Sequence, residues 1–92
     1  MINAGGAIRL HGTVTSVEDV ILYAWGDIEV SGTIAAWDEI RLSTLDDLTL
    51  LPGSLLTGIL GKKAQRISLF ARDQVTLLGI INAEKLVVIN HG

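Results

Sequence analysis

The chain repeats itself about every 20 residues, and this period constrains its fold more than any other feature of the sequence. Three series of equivalent positions show the repeat. The first opens runs of alternating apolar residues at Val20, Ile40, Ile67 and Leu86. The second lies at Ile8, Ile28, Leu48 and Val75. The third consists of the glycines Gly12, Gly32, Gly53 and Gly79.

The widest step in all three series falls in the same part of the chain, between Leu55 and Ile67. One insertion can explain the irregular spacing of every series. We place it at residues 58–66, with the sequence GILGKKAQR.

Each repeat contains three short stretches with the period-two alternation of strands that bury one face. In the clearest copy they are VILYA at 20–24, DIEV at 27–30 and TIAA at 33–36. The inward positions of the first stretch are Val20, Leu22, Ala24, Ile40, Leu42, Thr44, Ile67, Leu69, Ala71, Leu86, Val88 and Asn90. Those of the second are Ile8, Leu10, Ile28, Val30, Leu48, Leu50, Val75 and Leu77. Those of the third are Val14, Ser16, Ile34, Ala36, Leu55, Thr57, Ile81 and Ala83.

The repeat predicts an all-β fold, a single-domain parallel β-helix (β-solenoid) over 1–92 with three strands per coil and about four coils. Strands that pair with their equivalents one repeat later build such a rod, and its coils lie about 4.8 Å apart. An antiparallel sandwich is the alternative, because turns about every 8–12 residues also suit it loosely. A sandwich would not require the pattern to recur from coil to coil.

Composition excludes several other classes of protein. The absence of cysteine excludes disulfide scaffolds, iron–sulfur sites and thiolate zinc sites. A net charge of −3 without a basic stripe argues against nucleic-acid binding. The longest apolar run, 77–81, is far shorter than a membrane span, so we expect no membrane insertion. The first residues show no signal peptide.

Residues 19–58 resemble the repeats of filamentous-haemagglutinin-like proteins, the bacterial exoproteins secreted by the two-partner route. The matching segments are Gly26-Asp27-Ile28, Ser31-Gly32-Thr33-Ile34 and Asp38-Glu39-Ile40-Arg41-Leu42, and the likeness returns at 64–83. The resemblance implies a right-handed β-helix in an extracellular or cell-surface fibre. Such repeats have no catalytic residues to match, so we expect no enzyme activity. Bactofilins, which are polymerising β-helical proteins, are similar to a lesser degree.

The two ends of the predicted rod show no polar capping segment, although solenoids normally require one. An end-stacking interface is therefore expected from the apolar residues of the first and last coils, and the two tails fall at nearly the same phase of the coil. Two alternatives follow: a segment of a longer fibre that contacts flanking repeats, or a complete subunit that stacks head to tail on copies of itself. The residues of this interface are Ile8, Leu10, Val14, Ile81, Leu86 and Val88.

The outward positions of the first strand in each coil are unusually apolar, which predicts a wall for lateral packing of rods. The polar members of that column are Arg41, Ser43 and Ser68. The apolar wall consists of Ile21, Tyr23, Phe70, Val87 and Ile89.

A third hypothesis is a carbohydrate-binding module. Exposed tryptophans can stack on sugar rings, and a basic loop can contact an anionic glycan. The same residues could instead cap corners or lie in an ordinary solvated loop. The candidate contacts are Trp25, Trp37, Lys62, Lys63 and Arg66.

The acidic residues fall at predicted corners, where aspartate is favoured by turn geometry alone. Asp46 with Asp47 is the best candidate for calcium among them. His11 and His91 have no partners at metal-ligand spacing. The sequence therefore predicts no metal site, no cofactor and no catalytic residue.

Overall fold

The computed structural model describes residues 2–90, with the exception of the Ile2 side chain, and these residues form thirteen β-strands. The first coils contain β1 (Ile2–Ala4), β2 (Ile8–Leu10), β3 (Thr13–Ser16), β4 (Val20–Ala24), β5 (Ile28–Val30) and β6 (Thr33–Ala36). The later coils contain β7 (Glu39–Thr44), β8 (Asp47–Leu50), β9 (Leu55–Thr57), β10 (Ala64–Ala71), β11 (Gln74–Leu77), β12 (Ile80–Ile81) and β13 (Ala83–Asn90).

Every third strand joins the same sheet, so the described strands form three parallel sheets. The first sheet has the order β1-β4-β7-β10-β13, the second β2-β5-β8-β11 and the third β3-β6-β9-β12. Each strand pairs in parallel with its equivalent one coil away. This arrangement confirms the predicted parallel β-helix with three strands per coil and about four coils.

The core is a set of aliphatic ladders that run along the rod. Val20 pairs in register with Ile40, and Ile40 pairs with Ile67. All three side chains are buried. Because parallel in-register pairing places each residue over its equivalent, a repeated apolar position becomes a continuous apolar column. Burial of such columns contributes a stabilising free energy of roughly 25 cal/mol for each Å² of apolar surface removed from water.

The inward row of the third sheet differs from the sequence prediction by one residue in the third coil. Leu56 is fully buried and lies in register with Ile34 and Ile81, whereas Leu55 and Thr57 are partly exposed. The predicted inward positions Leu55 and Thr57 are therefore wrong. A one-residue shift moves a strand residue to the opposite face, because side chains alternate.

A turn at Pro52–Gly53 causes this shift. Gly53 adopts a φ of 90°, and the N–H of Ser54 donates to the carbonyl of Leu51 at 3.0 Å. The turn adds two residues to the coil. As a result Ser54, and not Gly53, takes the position equivalent to Gly32 of the preceding coil. The irregular spacing therefore comes from two insertions, and the expectation of a single one is wrong.

The second insertion is shorter than the predicted segment 58–66. Strand β10 begins at Ala64, so residues 64–66 belong to a strand and the loop is limited to 58–63. Within the loop, Leu60 and Gly61 adopt φ values of 55° and 74°, and the N–H of Lys62 donates to the carbonyl of Ile59 at 3.1 Å. The loop is thus a turn with defined backbone geometry.

Residues 2–90 contain no helix, and hence no helical segment that is long and apolar enough to span a membrane.

Candidate functional site

The C-terminal face of the rod exposes residues of the core ladders. Leu77, Leu86 and Val88 are 38 %, 47 % and 42 % exposed. Their in-register neighbours one coil earlier, Leu50, Ile67 and Leu69, are buried. Each of these three ladders is therefore buried inside the rod and exposed to solvent at this face. Exposed apolar area of this kind on a row of strand edges is typical of surfaces that associate.

The N-terminal face is less exposed than the C-terminal face. Ile8 is nearly buried, and Leu10 and Val14 are partly buried. At the other end, Ile81 is also partly buried. The structure thus places the six predicted end-stacking residues in the first and last coils, but most of their exposed area belongs to Leu86 and Val88.

The predicted lateral wall is divided into two patches. Ile21 and Tyr23 of β4 pair with Arg41 and Ser43 of β7, which are polar. Arg41 also forms an ion pair with Glu39 at 3.2 Å. Beyond this polar row lies the second patch, which consists of Phe70, Val87 and Ile89. At about 4.8 Å per strand, the two patches are about 10 Å apart along the rod.

The two tryptophans lie at different corners of the same coil. Trp25 follows β4, and Trp37 follows β6. Of the two tryptophans, the insertion loop contacts Trp37. Lys62 Nζ lies 5.1 Å from the centroid of its indole ring. A pocket of about 460 Å³ lies at this contact, lined by Trp37, Ile59, Lys62, Lys63, Gln65 and Glu84.

Arg66 lies outside the lining of the Trp37 pocket. It lines a neighbouring depression of about 300 Å³ with Asp38, Glu39, Gln65 and Lys85. Gln65 borders both cavities. The structure therefore brings together three of the five candidate ligand contacts, Trp37, Lys62 and Lys63, and separates Trp25 and Arg66 from them.

The corners between the first and second sheets gather acidic residues. Asp27, Asp46 and Asp47 present carboxylate oxygens within 4.8 Å of one another. A hydrogen bond with Asp73 is the main reason why the pKa of Asp46 is raised above its ordinary value, and desolvation and the charges of Asp27, Asp47 and Asp73 add to it. With one oxygen offered by each residue, the three carboxylates supply three ligands, whereas calcium takes six to eight.

Two corner aspartates have a structural role in the fold. Asp27 Oδ1 accepts from the backbone N–H of Asp47 at 3.1 Å, and Asp19 Oδ1 accepts from that of Glu39 at 3.2 Å. His11 Nδ1 lies 2.6 Å from Ser31 Oγ, which also joins adjacent coils. His91 lies outside the described residues.

Sequence reasoning missed several exposed apolar and pocket residues. Leu78 and Ile80 are exposed near the C-terminal face, where Leu77 extends their surface. Ile59, Gln65 and Glu84 line the Trp37 pocket. The wide step between repeats was the available signal for this pocket, because insertions in a solenoid collect on one face.

Comparisons with protein-family models, with curated proteins and with solved structures each found no match.

Proposed function

We propose that this chain is a non-catalytic structural segment of an extracellular bacterial fibre, in which β-solenoid coils stack on one another. The exposure of Leu77, Leu86 and Val88 carries the proposal, because each continues a ladder that is buried one coil earlier. A further coil would cover these side chains and pair the strand edges beside them. The coil can come from flanking repeats of a longer chain or from a second copy of this one.

The strand count specifies how a second copy would stack. Both β1 and β13 belong to the first sheet. If β1 of the second copy paired with β13, its β2 and β3 would lie two strand spacings from β11 and β12 instead of one, which is too far to pair. Two of the three sheets would then be interrupted, so the contact requires a different rotation.

The contact that pairs all three edges advances the second copy by one sheet. Its β1 then lies on β11, its β2 on β12 and its β3 on β13, which corresponds to about one third of a turn in a three-sheet solenoid. In this arrangement Ile8 and Leu10 approach Ile81, and Val14 approaches Leu86 and Val88. The contact is heterologous and does not close, so repetition gives a fibre.

Two adjacent residues of β13 provide the test. Val88 continues a core ladder and Ile89 lies in the lateral wall, yet their exposed fractions are similar, 42 % and 48 %. We expect Val88→Asp to abolish rods formed by the untagged 92-residue chain, whereas Ile89→Asp keeps them. Negative-stain electron microscopy and sedimentation velocity over a dilution series would measure this.

The opposite pattern, with rods lost only in Ile89→Asp, would replace end stacking with lateral packing. Rods that persist in both Val88→Asp and Ile8→Asp would contradict the stacking contact. Monomers of the unmodified chain at every concentration would leave only the alternative in which coils continue within one longer chain.

A further inference from the structure

The insertion loop and the corner at Trp37 together form a pocket with the composition of a small-ligand site. Its volume of about 460 Å³ lies within the ordinary range of about 300–1,000 Å³ for such sites. An aromatic ring and an aliphatic side chain form part of the lining, and four polar or charged side chains form the rest. We propose that this pocket binds an acidic saccharide, a sugar ring that carries a carboxylate.

The loop that forms one side of the pocket has a defined structure. Thr57 Oγ1 donates to the carbonyl of Lys62 at 3.3 Å, and Asn82 Nδ2 donates to Thr57 Oγ1 at 3.3 Å. A Cβ at Gly58 would lie 2.5 Å from the Lys62 carbonyl oxygen, so the close approach of the chain requires glycine there. These contacts fix the backbone from which the Lys62 and Lys63 side chains extend.

The tip of the loop is a tight turn. Leu60 and Gly61 adopt φ values of 55° and 74°, and the N–H of Lys62 donates to the carbonyl of Ile59 at 3.1 Å. A type I′ turn requires positive φ at both central residues. The turn therefore accounts for the backbone of Leu60, whose side chain is exposed.

The apolar part of the pocket suits a sugar ring. Trp37 is 42 % exposed, and Ile59 lies beside it. Lys62 Nζ lies over the indole, 5.1 Å from the ring centroid, so a sugar that packs on this face displaces the ammonium from the ring toward the carboxylate of the sugar. The C–H face of a pyranose packs against indole because the ring face is electron-rich and the C–H groups carry partial positive charge. The pocket is open to solvent, so an oligosaccharide can extend beyond it.

The charged part of the pocket suits a carboxylate. Two cations, Lys62 and Lys63, face a single anion, Glu84, on a chain whose net charge is −3. Lysine ammonium groups form charge-assisted hydrogen bonds with carboxylates. Glu84 accepts and Gln65 both donates and accepts, which matches the hydroxyl groups of a sugar. A simple inorganic anion would use the lysines but neither the indole face nor these two side chains.

The two tryptophans allow a direct measurement of binding. In Trp25→Phe, Trp37 is the remaining indole, so its fluorescence reports the pocket alone. We expect the trimer of galacturonic acid to change this fluorescence saturably, and the neutral trimer of galactose to bind at least tenfold more weakly. Raising the salt concentration from about 20 to 200 mM should weaken binding of the acidic trimer, because exposed charges are screened.

Matched variants test the assignment of residues. The double variant Lys62→Gln, Lys63→Gln should weaken binding of the acidic trimer at least tenfold in the Trp25→Phe background. Arg9→Gln removes an exposed cation from the second sheet, remote from the pocket, and should change binding less than twofold. Isothermal titration calorimetry of Trp37→Phe, with Trp25 retained, should show a comparable loss of affinity. Circular dichroism checks that each variant keeps its strand content.

Three results would overturn the proposal. The first is equal binding of the acidic and neutral trimers, or binding of neither. The second is unchanged affinity in the double lysine variant. The third is an equal fluorescence change with acetate or sulfate at the same concentration, which would reduce the pocket to a general anion site. The measurement is independent of assembly, so it can fail while the stacking proposal holds.

Discussion

The carboxylate of Asp27 accepts a hydrogen bond from the backbone N–H of Asp47, 3.1 Å away and 20 residues further along the chain. Asp19 forms the equivalent bond with the N–H of Glu39 at the same spacing. At these corners the chain leaves one sheet for the next, and a side-chain acceptor there joins one coil to its successor. Aspartate at a corner therefore stabilises the stacking of coils as well as the turn.

Substitution of Asp27 separates this hydrogen bond from the charge. Asp27→Asn keeps an oxygen acceptor, Asp27→Ala removes it, and both remove the same negative charge from the acidic corner. We expect Asp27→Ala to be less stable than Asp27→Asn by about 0.5–1.5 kcal/mol, the usual net contribution of one hydrogen bond. Urea denaturation would measure the difference. Equal stability of the two variants would show that the bond contributes nothing.

The acidic corner predicts a pH dependence of stability. Because the pKa of Asp46 is raised in the folded chain, chiefly by its hydrogen bond with Asp73, the folded state holds this proton more tightly than the unfolded state. Stability should therefore fall as the pH rises from the ordinary value of 3.8 through the raised pKa.

Asp46→Asn tests this dependence. The variant should be more stable than the unmodified chain at neutral pH, and its advantage should shrink as the pH falls. Thermal denaturation between about pH 3.5 and 7.5 would show the two curves converging at the acid end. A constant difference across that range would contradict the prediction.

The repeated glycine positions differ in how much space they leave for a side chain. A Cβ at Gly32 would overlap the carbonyl oxygen of Gly12 in the preceding coil, whereas a Cβ at Gly12 meets nothing within 4 Å. We expect Gly32→Ala to cost about 1–3 kcal/mol through overpacking. Gly12→Ala should lie within about 0.5 kcal/mol of the unmodified chain, as exposed substitutions generally do. Chemical denaturation of the pair would check both values, and similar losses would indicate that the close approach is absent.

The register of β9 predicts opposite sensitivities for two neighbouring leucines. Leu56 is fully buried between Ile34 and Ile81, so Leu56→Ala should cost about 2–5 kcal/mol. Leu55 is partly exposed, so Leu55→Ala should cost clearly less. Denaturant midpoints would rank the two variants. The reverse order would restore the inward position that the sequence alone suggested.

Much of the fold could be predicted because stacked parallel strands repeat the same environment. Val20, Ile40 and Ile67 share one column, so the period in the sequence directly indicates their burial. The prediction failed at Leu55, where a turn of two additional residues shifted the strand. Periodicity counts residues, and it does not show how many of them a corner absorbs.

The candidate sites were less predictable, since they depend on contacts between columns. The period already placed Arg41 and Ser43 in the outward column, but the predicted wall did not take into account that they separate its apolar residues into two patches. The period does not show that the loop reaches Trp37 and leaves Trp25 apart. Such contacts follow from the path of the loop and the corner at which it leaves the rod.

The sequence by itself determined the parallel three-strand coil and most of the buried ladders, since a regular alternation repeated along the chain is compatible with little else. Only the tertiary structure decided that Leu56 faces the core, that the acidic residues meet at one corner and that Lys62 lies over Trp37. The physical reason is that ladders arise from pairing between equivalent residues, which the period encodes. The sites arise from non-equivalent residues that turns and insertions bring together.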